Sequence, residues 1–225
     1  MGSPSMPIPL PALLTRLLQT LASLLNADLL DLVRRLSTSL LAPRCESLYE
    51  VLDYDARLEL RDPAGKKALY TKRARVRFLQ DNVVAYQDQA WGDGDIFAAY
   101  RCSPGIAVDR YREGHRWRVL ISLRGTRNCG DIEEFHIERT IRDGFTRAVE
   151  DFQTEVDHTT HRMALSVVFP RARLPKQVLL IEQHAARSRE LGPAHRLTLP
   201  DGRALVRWET DRPRRCEAYI VRWVW

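Results

Sequence analysis

Apolar positions along the chain change their period once, near residue 45. Upstream, Leu13, Leu14, Leu17, Leu18, Leu21, Leu24 and Leu25 recur at the three- and four-residue steps of one helical face, with Thr15, Arg16, Gln19, Thr20 and Ser23 opposite. The run Pro7-Ile8-Pro9-Leu10-Pro11 sets proline where a helix can begin. Asn26 and Asp28 can cap a second helix, Leu29 to about Leu41, striped by Leu29, Leu32, Val33, Leu36 and Leu40 and stopped by Pro43. The pattern predicts a pair of short amphipathic helices over 6–44. Neither can bury its stripe alone, so each needs a partner surface.

From Leu48 the period is two. Tyr54, Ala56, Leu58 and Leu60 alternate with Asp55, Arg57, Glu59 and Arg61. The turn Asp62-Pro63-Ala64-Gly65 then returns the chain through Ala74, Val76 and Phe78, set against Arg73, Arg75 and Arg77. That is a hairpin with one wet face. Further strands are expected at 83–91, 96–101, 116–124, 134–142, 161–169, 177–182, 195–199, 204–209 and 218–225, with a tight turn at Pro200-Asp201-Gly202. The last strand is apolar on both faces and should lie inside a sheet.

Short strands without intervening helical patterns predict a mainly β protein: an antiparallel β-sandwich, immunoglobulin-like or related, behind the helical pair. Residues 1–5 read as an added leader before Met6, 6–44 as the leucine-rich helical segment, and 45–225 as the β domain, with a seam at 143–157. One domain is favoured over two, because about five strands alone bury little core.

Composition narrows the classes. The net charge is +6, carried by 35 basic residues of which only 4 are Lys. That ratio reads as a GC-rich, bacterial genome before it reads as selection for phosphates, and the acids are interspersed throughout. Cys45, Cys102, Cys129 and Cys216 stand apart, with no zinc-type spacing. Isolated thiols suit a reducing, cytoplasmic setting. Arg16 and Asp28 interrupt the leucine-rich stretch, so no membrane span is expected.

No phosphate loop, dinucleotide fingerprint, nucleophile elbow or HExxH motif occurs. Glu134, His136 and Glu138 share one strand face and could hold a metal for hydrolysis, but a solvated sheet face is the simpler reading. Trp91-Gly92-Asp93-Gly94-Asp95 lacks the ligand series of a calcium loop and reads as a turn. Cys102 has no visible base. Arg73, Arg75 and Arg77, with Lys72 and joined by Arg212, Arg214 and Arg215, offer basic faces for nucleic acid or another polyanion, although Asp53, Asp55 and Glu59 can pair with the first three arginines across the hairpin.

The expected function is a non-enzymatic interaction or adaptor module without a cofactor. It would associate with another protein, or with itself, through Leu13, Leu17, Leu21, Leu24, Leu32 and Leu36 and through the sandwich surface. Few cations line the helices, so protein rather than lipid is the expected partner.

Overall fold

The computed structural model describes residues 47–225. The predicted helices, with Leu13, Leu17, Leu21, Leu24, Leu32 and Leu36, lie outside the described residues.

Strands carry the fold: β1 (Tyr49–Leu60), β2 (Lys67–Phe78), β3 (Val83–Ala90), β4 (Asp95–Ser103), β5 (Ile106–Glu113), β6 (Arg116–Arg127), β7 (Ile132–Arg142), β8 (Val149–Glu155), β9 (Arg162–Phe169), β10 (Gln177–Glu182), β11 (Arg187–Glu190), β12 (Arg196–Thr198), β13 (Ala204–Asp211) and β14 (Ala218–Val224). They form a seven-stranded sheet in the order β12-β13-β9-β1-β2-β7-β4, a four-stranded sheet β11-β10-β14-β8, and a three-stranded sheet β3-β6-β5.

The mainly β reading is what the structure shows. It differs from a simple antiparallel sandwich in having three sheets and in the parallel pairing of β1 with β9. Three strands were not expected. β5 is exposed along its whole length, and β11 likewise, so neither alternates. β8 falls in the segment read as a seam, because Glu150 and Thr154 sit at its buried phase.

The large sheet turns one face to both smaller sheets. A one-residue bulge between Val51 and Asp53 shifts the register of β1 against β2. It keeps Tyr49 and Val51 on the same side as Tyr54, Ala56, Leu58 and Leu60. The inner phase of β2 is Ala68, Tyr70, Lys72, Ala74, Val76 and Phe78, and that of β7 is Phe135, Ile137, Arg139 and Ile141. One core gathers Leu58, Leu60 and Tyr70 with Phe152, Leu165, Leu180 and Trp223, so it joins the large sheet to the four-stranded one. A second gathers Tyr49, Val76, Phe78, Phe135 and Ile137 with Tyr86, Val119 and Ile121, joining it to the three-stranded one. Side chains such as Phe78, Phe135 and Leu58 are wholly buried, each contributing about 1.5–3 kcal/mol. β14, apolar on both faces, sits between β10 and β8. No helix among the described residues is long and apolar enough to cross a membrane.

Candidate functional site

Where the inner face of the large sheet passes from one core to the other, its apolar phase is broken by charge. Lys72 on β2 and Arg139 on β7 both point inward and are only 6 % exposed. From the three-stranded sheet Asp88 on β3 meets them, fully buried. Lys72 Nζ donates to Asp88 Oδ1, and the Tyr100 hydroxyl donates to Asp88 Oδ2 at 3.1 Å. Burial alone would lower the Lys72 ammonium. The Asp88 carboxylate, with Tyr70 and Tyr54, more than offsets that and holds it well above the ordinary lysine value.

Beside this pair lies a cleft of about 300 Å³, floored by β1, β2 and β7 and walled by β3 and β8. Both walls are edge strands of their sheets. Tyr54 spans the floor, its hydroxyl 3.4 Å from those of Tyr70 and Thr154. Arg139 stacks on Tyr70, guanidinium carbon 4.1 Å from the ring centroid. Unlike Lys72 it has no ion pair, and its Nε is buried without an acceptor among the described residues. At the other end the His158 ring lies tilted against Tyr49 at 4.3 Å, and its Nδ1 is buried without a partner among the described residues. Burial lowers the His158 imidazole, with Arg215 and Arg118 adding to the effect against Asp157. It raises the Glu150 carboxyl in the β8 wall, against Arg147, and it raises the Tyr49, Tyr70 and Tyr86 hydroxyls. Three ion pairs tie the two sides together: Arg116–Glu155, Arg118–Asp157 at 4.0 Å, and Arg147–Asp93 at 2.8 Å.

Tyr54, Asp88 and Arg139 were not singled out as site residues in the sequence, and the loop Trp91–Asp95, read there as a turn, lends Trp91, Gly92 and Asp93 to the cleft lining. The signal is there: Lys72, Asp88 and Arg139 are charges at the apolar phase of otherwise alternating strands. Lys72 belongs to this interior and not to the basic face with Arg73.

Most of the residues that were singled out lie elsewhere. Arg73, Arg75 and Arg77 are on the outer face of β2. Arg73 pairs with Asp53 and Glu134, and Arg77 with Glu50, while Arg75 has no ion pair among the described residues. The expected partners Asp55 and Glu59 bind Arg207 and Arg203 instead. Arg212, Arg214 and Arg215 lie between β13 and β14, where Arg215 Nε donates to the Asp157 carbonyl. Glu134, His136 and Glu138 share the outer face of β7. His136 contacts Glu134 at 3.0 Å and Glu138 faces Arg101 at 3.7 Å, so the row is engaged in polar contacts on the surface. No group of three or more metal-ligating side chains occurs among the described residues. Trp91–Asp95 connects β3 to β4 between two sheets rather than closing a hairpin. Burial raises the Cys102 thiol.

No protein-family model matches the sequence, and no curated protein matches it. Solved structures similar to it include an M1 zinc metallopeptidase from Deinococcus radiodurans, at 10% identity over 77% of this chain and 42% of that one, with a TM-score of 0.47. Another is aminopeptidase A of Legionella pneumophila in complex with aspartic acid, at 15% identity over 77% and 21%, with a TM-score of 0.45. The chain thus spans less than half the length of either. At such identities and TM-scores the likeness assigns no residue and no activity to this chain.

Proposed function

We propose that residues 47–225 form a sandwich-type, non-enzymatic binding module whose ligand occupies the cleft between β3 and β8. The observation that carries this reading is a cleft of about 300 Å³ with the unpartnered buried nitrogens of Arg139 and His158 in its lining. Buried polar atoms are normally satisfied, and a concave site with a few convergent polar groups is where a small ligand binds. Binding without turnover is the reading we take from two kinds of group in the lining, Lys72 and the buried tyrosines. Lys72 is held charged by Asp88, and the buried tyrosines are held protonated, so neither serves as a base near neutral pH.

Saturation-transfer NMR on the purified protein, screened with a mixed set of small acids, amides and short peptides, tests the reading. Hits should compete with one another and disappear in a Thr154→Trp variant that fills the cleft. Hits indifferent to that change would place binding elsewhere.

In the same reading the leucine-striped segment 6–43 is a protein-contact element. Its deletion should abolish association and leave the β module folded. Unchanged association on size-exclusion chromatography would remove that part of the proposal.

A further inference from the structure

Arg139 is a buried charge of the cleft for which the described residues supply no counter-charge. An arginine this deep gives up its hydration, and an isolated buried charge is strongly unfavourable unless paired. The chain places carboxylates beside most of its other semi-buried cations: Asp88 beside Lys72, Glu155 beside Arg116 and Glu133 beside Arg127. At Arg139 the neighbours are instead aromatic, Tyr70 at 4.1 Å and Phe97 at 6.0 Å, measured from the guanidinium carbon to the ring centroids. The Arg139 Nε is buried without an acceptor among the described residues, and no carboxylate of the described residues neutralises the guanidinium.

We propose that Arg139 is the anchor for a carboxylate carried by the cleft's ligand, gripped through the guanidinium N–H groups. This rests on the cleft being the binding site. A monoanion fits better than a phosphate. Among the described residues of the floor Arg139 is the cation without an ion pair, whereas Glu150 in the β8 wall disfavours a second negative charge. Tyr54, Tyr70, Phe152 and Ile141 set aromatic and apolar surface among the polar side chains of the lining, so a flat hydrocarbon group attached to the carboxylate has a surface to pack on. Such a carboxylate belongs either to a small organic acid or to the C-terminus of a peptide ending in an apolar residue.

Isothermal titration of the full chain separates these possibilities. The probes are 3-phenylpropionate, 3-phenylpropionamide, the tripeptide Ala-Ala-Phe as free acid, and the same tripeptide as C-terminal amide. At least one acid should bind tenfold or more tightly than its own amide. The acid that does so identifies the source. Arg139→Met should erase the preference, and Arg139→Lys, which keeps the charge but lacks the planar fork, should weaken it. Arg75→Met on the outer face should leave it intact. Because Arg139 is unpaired in the free protein, Arg139→Met should fold with a melting temperature no lower than that of the parent. Acid and amide binding equally well in the cleft would overturn the carboxylate anchor while the cleft remained a site. Binding of no probe at all would overturn both.

Discussion

At the scale of single residues, the buried charges decide most. Lys72 and Asp88 neutralise each other between two sheets, so removing one leaves the other charged in the interior. Lys72→Met or Asp88→Asn should each lose about 3–5 kcal/mol in urea unfolding, whereas Lys72→Met combined with Asp88→Leu should recover most of it. Single losses under about 1 kcal/mol would show the pair to be idle. Glu217 is a second case. Its buried carboxylate accepts backbone N–H bonds from His184, Ala185 and Ala218. Burial alone would raise this carboxyl, but those donors, with His184, hold it below the ordinary glutamate value of 4.5. The sign follows: the native state binds the proton less readily than the unfolded one. The stabilisation is therefore full above about pH 4.5 and lost as pH falls below it. Glu217→Ala should cost about 1–3 kcal/mol near neutrality and flatten the acid limb of the stability curve. An unchanged acid limb would exclude this role. Of these residues the sequence marks Lys72, Asp88 and Arg139 by phase alone. It cannot say which of them finds a partner, because that depends on β3 crossing over β2.

At the scale of elements, most strands follow from alternation, as in Trp117, Val119, Ile121 and Leu123 of β6. β8 does not, since its buried phase mixes Glu150, Phe152 and Thr154, the composition of a cleft wall. Its approach is set by the β1–β2 turn. Asp62 accepts bonds from the backbone of Ala64, Lys66 and Lys67, and the Phe145 N–H donates to the Gly65 carbonyl at 3.1 Å. Gly65 has φ of +72°, and a Cβ there would fall 1.7 Å from the Phe145 oxygen. Gly114 has a comparable φ of +60° with open space around it. Gly114→Ala should therefore cost only the backbone strain, about 1–2 kcal/mol. Gly65→Ala should cost clearly more and displace the segment leading into β8, read by thermal unfolding and by amide shifts at Phe145 and Val149. Equal losses at the two glycines would mean that the turn does not brace β8.

At the scale of the whole β module, one large sheet carries two smaller ones on the same face, and the cleft is the interval between them. The sequence shows the strands but not this division, which depends on pairings between distant segments such as β1 with β9 and β8 with β14. Arg116–Glu155, Arg118–Asp157 and Arg147–Asp93 bridge the interval, and partly exposed pairs contribute about 0.2–1 kcal/mol each. Glu155→Gln with Asp157→Asn should thus lower global stability little while speeding hydrogen exchange in β8 and β3, with β9 unchanged. Uniform exchange across all strands would show that the bridges do not hold the walls. Whether the cleft is the binding site is tested most directly by chemical-shift mapping of the isotope-labelled full chain titrated with 3-phenylpropionate. The expected result is saturable shifts confined to Tyr54, Tyr70, Arg139, Thr154 and His158. Shifts centred instead on Glu134, His136 and Glu138 of the outer face, with the cleft silent, would contradict it.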